Sequence, residues 1–127
     1  MRLVIVRHAE AAPGEPDELR ALTPAGHEQA RLLGERLRGE GIAPDALLTS
    51  PLRRARETAA ALGLGEPEDS DALAPGATAE GVREAVAYLG EIVLVVGHQP
   101  DCSKIAAALT GGPEPPFPPA GFFVVES

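Results

Sequence analysis

Leu3-Val4-Ile5-Val6-Arg7-His8 begins with four apolar residues in a row and then changes at once to a guanidinium and an imidazole. Ile92-Val93-Leu94-Val95-Val96-Gly97-His98 has the same form. A run that is apolar at every position, rather than at alternate ones, marks a strand covered on both faces, and such strands build parallel sheets. Ala46 to Leu48 and Phe122 to Val125 supply two more strands, the last free to run in either direction. Helical patterns lie between them. Thr23 as N-cap and Pro24 at the first helical position predict a helix through Ala30, Leu33 and Leu37, stopped by Gly39 and Gly41. Ser50-Pro51 gives the same start signal to a helix through Leu52, Ala55, Ala59 and Leu62, closed by Gly63 and Gly65. Thr78 to Leu89 puts Val82, Ala85, Val86 and Leu89 at helical spacing, and Pro100 opens a last helix through Ile105 and Leu109 to Gly111-Gly112. This alternation predicts an α/β fold, with right-handed crossovers that place helices on both faces of a mostly parallel sheet.

The chain has 127 residues, the size of one domain, so residues 1–127 are expected to form a single unit. Hydrophobic residues at 44% and charged residues at 24% fit a folded globular chain and exclude wholesale disorder. The apolar runs are far shorter than the roughly 20 residues of a membrane-spanning helix. The N-terminal run lacks the apolar length and cleavage site of a secretory signal. Cys102 is the only cysteine, which rules out an internal disulfide. A reducing cytoplasm is the compartment these features predict. The core must be built of Leu, Val and Ala, because the aromatics number only one Tyr and three Phe.

Net charge is −8, and the excess acid is C-terminal: beyond residue 64 only Arg83 and Lys104 are basic. A negative field repels polyanions, which argues against nucleic-acid or anionic-membrane binding and requires any anion site to be local. Such a site has an obvious place. In an open α/β sheet, ligands bind beyond the C-terminal ends of the strands. Arg7-His8 follows the first strand, Thr49-Ser50-Pro51-Leu52-Arg53-Arg54 the second, and Gly97-His98-Gln99-Pro100 the strand from Ile92 to Val96.

Two imidazoles and two or three guanidiniums on one rim would suit a phosphoryl group. Arg donates two parallel hydrogen bonds to phosphoryl oxygens and stays charged at any working pH. A neutral imidazole can attack phosphorus and form a covalent phosphoenzyme. Arg7 beside His8 would lower the pKa of that imidazole and keep it unprotonated. Gly97 would let the backbone approach the ligand, and the amides at the start of the Pro100 helix would point at the same anion.

Each feature also has a plain reading. An Arg-His pair is common on surfaces, and Ser-Pro before a helix is ordinary capping. A metal site is a second reading, but His8 and His98 have no His or Cys partner at ligand spacing, and Glu10 is the nearby carboxylate. His27 belongs on a solvated helix face, and Cys102 reads as a small buried residue. The Pro- and Gly-rich stretch Gly111 to Pro119 is read as an exposed loop, and Pro113 to Pro119 as a connector rather than an entrance.

Taken together the motifs resemble the histidine phosphatase superfamily, which includes the cofactor-dependent phosphoglycerate mutases. Val4-Ile5-Val6-Arg7-His8 looks like its opening Arg-His-Gly motif, with Ala9 in place of Gly. Ser50-Pro51-Leu52-Arg53-Arg54-Ala55 with Thr58 resembles its second motif, in which the Arg directly before Ala binds phosphate, here Arg54. Val96-Gly97-His98-Gln99-Pro100 resembles the motif of the second active-site His, and Leu22-Thr23-Pro24-Ala25-Gly26 with Gln29-Ala30 is similar to the first-helix signature. The short length, Arg-His-Ala-Glu-Ala and Asp17 to Leu22 with Arg20 look most like the SixA-type phosphohistidine phosphatases.

The resemblance implies a three-layer αβα sandwich of phosphoglycerate mutase-like form, with His8 as nucleophile and Arg7, Arg54 and His98 around the phosphoryl group. Arg20 is expected on the substrate rim, and neither a metal nor a cofactor is implied. Larger relatives carry an acidic proton donor between the second and third motifs, a stretch that is short here, from Glu66 to Gly81. An alkoxide leaving group needs a general acid, whereas the imidazole of phosphohistidine needs little more than a proton on the departing ring. The expected activity is therefore metal-independent removal of phosphate from phosphohistidine in a protein partner, through a phospho-His8 intermediate. Asp71, Glu80, Glu10 and Asp17 remain candidate acids. A small-molecule phosphomonoesterase and a phosphate-binding module without turnover are the alternatives.

Overall fold

The computed structural model describes residues 1–126. Its elements in chain order are β1 (Arg2–Arg7), α1 (Pro24–Gly39), β2 (Ala46–Thr49), α2 (Arg53–Ala61), β3 (Glu68–Asp69), α3 (Ala79–Val86), β4 (Ile92–Gly97), α4 (Asp101–Thr110) and β5 (Phe122–Glu126). Short 3-10 turns form at Asp17–Leu19 and Asp71–Leu73. The sheet order is β3-β2-β4-β1-β5. The first four strands in that order are mutually parallel, and β5 runs antiparallel to β1 along one edge.

Unbroken apolar runs are needed because both sheet faces are covered. Successive strand residues point to opposite faces. Leu3, Ile5, Val93 and Val95 share one core with Val82 and Val86 of α3 and Ile105 and Ala106 of α4. Val4, Val6, Leu94 and Val96 share the other with Leu33 and Leu37 of α1 and Ala55 and Ala59 of α2. This is the expected α/β sandwich. No described helix is long and apolar enough to cross a membrane.

Two helix boundaries are corrected, one strand is added and one loop gains a structural part. The second helix begins at Arg53, not at Ser50-Pro51: Leu52 is its N-cap, and Ser50 Oγ accepts from the Leu52 N–H in the turn before it. The third helix stops at Val86 rather than Leu89, because Ala87 turns extended and Tyr88 takes φ 65. Tyr88 and Leu89 are exposed, so no core contact holds the helix on. Strand β3 escapes sequence reading because both its residues are exposed acids that pair only at the sheet edge. Finally, the Pro-rich loop does more than connect: Phe117 is buried in the core of α3 and α4, and the Pro115 carbonyl accepts from Ser103 Oγ.

Candidate active site

Parallel pairing carries three strand ends to one rim. Arg7 pairs with Gly97 and Thr49 with Val96, and the ladder continues one residue past the strands. The His8 N–H donates to the Gly97 carbonyl and the Ser50 N–H to the Val96 carbonyl, each at 3.0 Å. His8, His98 and Ser50 are thereby drawn together from distant parts of the chain. The two imidazole centroids lie 5.2 Å apart with planes at 60°.

His8 Nδ1 is 2.7 Å from the Ala9 carbonyl oxygen. That oxygen only accepts, so Nδ1 carries the proton, and Nε2 of the neutral ring keeps a free lone pair. Ala9 is itself fixed: its N–H donates to Thr58 Oγ1 at 3.0 Å, and the Thr58 hydroxyl donates to the Arg54 carbonyl at 2.8 Å. Burial lowers the His8 pKa, and the charges of Arg54, Arg7 and Arg20 lower it further, against the raising effect of the Ala9 carbonyl. The expected influence of Arg7 is present but secondary to desolvation.

Arg54 is 7% exposed although charged. Its Nη1 donates to the Asp17 carbonyl at 2.9 Å and its Nη2 to Asp17 Oδ2 at 3.1 Å. Arg20 reaches the same carboxylate, donating from Nη1 to Asp17 Oδ1 at 3.1 Å and from Nε to the Ala12 carbonyl at 2.8 Å. These hydrogen bonds, that of Arg20 foremost, hold the Asp17 carboxyl below its ordinary pKa. Arg7 donates from Nη1 to the Phe117 carbonyl at 2.9 Å, so the Pro-rich loop braces a predicted site residue. His98 is buried with Nε2 2.7 Å from Ser50 Oγ, and burial, then the neighbouring His8 and Arg54, push its pKa down to about 4. His98 Nδ1 and Arg7 Nε are buried with no hydrogen-bond partner among the described residues.

The arrangement combines a free imidazole lone pair, an electropositive surround and two buried polar nitrogens with no internal partner. Buried polar groups are ordinarily satisfied, so such orphans point to a ligand that completes them. Residues 3–74 match the sequence profile of the histidine phosphatase superfamily, branch 1. The chain belongs to that superfamily.

Among its relatives, the phosphohistidine phosphatase SixA of Escherichia coli is 31% identical over 127 residues, covering 92% of this chain and 79% of that protein. An uncharacterised protein of Picosynechococcus is 35% identical over 88% of this chain and 74% of its own length. A solved structure of the protein histidine phosphatase SixA complexed with tungstate superposes with a TM-score of 0.92 at 28% identity, covering 99% of this chain and 88% of that one. Phosphatase chemistry is the activity these similarities support.

One expectation about this superfamily member's backbone is not met. The α4 amides of Cys102, Ser103 and Lys104 are taken by the His98 carbonyl, Gln99 Oε1 and the Pro100 carbonyl, so they do not point at an anion. A Cβ on Gly97 would face Cys102 Sγ at 3.8 Å and the Leu73 carbonyl at 3.9 Å, both ordinary contacts. His27 is exposed, and Cys102 is buried with its thiol pKa pushed up to about 12 by burial. No group of three or more His, Cys, Asp or Glu side chains placed to hold a metal occurs among the described residues. Sequence reasoning missed the contact of Ser50 with His98, since Ser-Pro reads as a cap, and the bracing of Arg7 by a loop carbonyl, which no side-chain pattern encodes.

Proposed function

We propose that this superfamily member is a metal-independent phosphohistidine phosphatase working through a phospho-His8 intermediate. The observation that carries the reading is the bond from His8 Nδ1 to the Ala9 carbonyl, which leaves the Nε2 lone pair free on a ring whose centroid is 5.2 Å from that of His98. In the first step the Nε2 lone pair attacks phosphorus and the phosphorus–nitrogen bond of the substrate breaks. A substrate ring already protonated on its other nitrogen then departs as neutral imidazole. In the second step water attacks the phospho-His8 phosphorus, releasing inorganic phosphate and returning Nε2 to its free state. Arg7, Arg54 and His98 hold the phosphoryl oxygens, with Arg20 at the rim, because a loose transition state needs positioning and charge neutralisation above all.

The choice of a phosphorus–nitrogen bond draws on the carboxylates. Asp17 touches Arg54, and its pairing with Arg20 and Arg54 keeps it ionised, the wrong state for protonating an alkoxide. The Glu10 carboxylate accepts from the Thr23 hydroxyl at the start of α1. A phosphorylated protein is the partner this reading implies, and the similarity to SixA supports it.

Incubation with a labelled phosphohistidine donor followed by an alkaline quench should trap an acid-labile phosphoenzyme. Absence of label in active protein would remove the intermediate. His8→Ala should lose roughly 10³-fold or more in turnover while keeping its fold; a phosphate-binding module would have no turnover to lose. Chelators should leave the rate unchanged, and comparable turnover of sugar or nucleotide phosphates would favour the phosphomonoesterase instead.

A further inference from the structure

Ser50 has no part in the proposed chemistry, yet it is completely buried and held at every polar atom. Its N–H donates to the Val96 carbonyl, its carbonyl accepts from Thr49 Oγ1, and its Oγ accepts from the Leu52 N–H at 3.2 Å. The remaining contact of Oγ is His98 Nε2 at 2.7 Å. We propose that Ser50 is a positioning residue that donates its hydroxyl proton to His98 Nε2, fixes the ring as the Nδ1–H tautomer, and so makes His98 a neutral hydrogen-bond donor to the phosphoryl group. The proposal rests on the reading of this rim as a phosphoryl site.

The argument is an accounting of buried groups. A serine hydroxyl has one proton to give and lone pairs to accept with. If Ser50 donates, its proton, the Leu52 N–H and His98 Nε2 are all satisfied, and only Nδ1–H is left open. If Nε2–H donated to Oγ instead, the Ser50 proton would lack an acceptor and Nδ1 would become a second unpartnered group. Buried polar groups left without partners are penalised one by one, which favours the first arrangement. The position of the orphan then gains a meaning. Ser50 occupies Nε2, so any bond from His98 to an anion must come from Nδ1, the atom that is buried without a partner among the described residues. A proton there attracts a phosphoryl oxygen, whereas a bare lone pair would repel it. The low proton affinity of His98 agrees, since a ring that stays neutral has a single proton and its placement must be decided by a neighbour.

Imidazole ¹⁵N shifts of uniformly labelled resting protein at pH 7 report the tautomer directly, with no substrate present. The expected result is His98 protonated at Nδ1. Protonation at Nε2 would overturn the proposal whatever the enzyme's activity. In Ser50→Ala the His98 signals should move to the other tautomer or an average of the two, and affinity for inorganic phosphate should fall by roughly 10- to 100-fold, the effect of losing a donor to a charged group. Ser50→Thr, which keeps the hydroxyl, should restore both. Unchanged tautomer and phosphate affinity in Ser50→Ala would also overturn it. Wild-type protein with the Nδ1–H tautomer that binds no phosphate would instead sink the reading of the rim, and the donor role with it.

Discussion

At the scale of single residues, the site depends on two histidines kept neutral by different means. His8 is only partly buried and has its proton placed by a backbone carbonyl; His98 is deeply buried and faces a hydroxyl. Neutral burial has a pH cost. The folded-state pKa of His98 is about 4, against an ordinary 6.5. Between those values the unfolded chain binds the proton and the folded chain does not, so stability rises with pH across that window and is lost as pH falls through it. The full effect is on the order of 3 kcal/mol. Urea unfolding of wild type and His98→Gln from pH 7 to pH 5 should show a steeper loss in the wild type. Parallel slopes would show that His98 titrates normally. If His8 is the nucleophile proposed above, turnover should persist below pH 6.5 and fall only as the lowered pKa of that imidazole is reached.

At the scale of elements, small residues fix how closely the helices approach. Gly34 of α1 lies so near the Leu62 carbonyl at the end of α2 that a Cβ would overlap it. Its φ is not in the left-handed region, so the requirement is space rather than backbone freedom. Backbone cannot yield as a side-chain tip can, and Gly34→Ala should destabilise by about 1–3 kcal/mol through overpacking, measured by urea midpoint. Because α2 carries Arg54 and Thr58, pushing it outward should also weaken phosphate binding. An unchanged midpoint would mean that the helix pair has slack. Ala30, Ala55, Ala59 and Ala106 are fully buried, which is how a core nearly free of aromatics closes over the sheet.

At the scale of the molecule, both cores share one sheet. Strands β1 and β4 contribute alternate residues to each of them, so neither face can be lost without the other. We expect residues 1–127 to behave as one cooperative unit. Far-UV circular dichroism and hydrogen exchange of amides from both cores should therefore report a single coincident unfolding transition. Separate transitions for the α1–α2 and α3–α4 faces would disprove it. The acidic C-terminal half sets a negative background of charge, and within it Arg7, Arg20 and Arg54 gather where the rim is electropositive.

Local chemistry was enough to announce the α/β class, the four main strands, the cap of α1 and the candidate residues His8, Arg54 and His98, because period, capping and motif are written in adjacent side chains. What lay beyond it was set by partners remote in sequence. The brief β3 exists only because an edge of β2 was available to pair with it, and α2 begins late because Ser50 is held by the ladder to β4. The Pro-rich loop became a brace for Arg7 through a carbonyl oxygen, a group that every residue possesses and no pattern distinguishes. The distance between the two imidazoles, and the hydroxyl that faces one of them, were decided when parallel register aligned the ends of three strands. Hydrogen-bond registry acts across space, and a linear string of side chains carries no record of it.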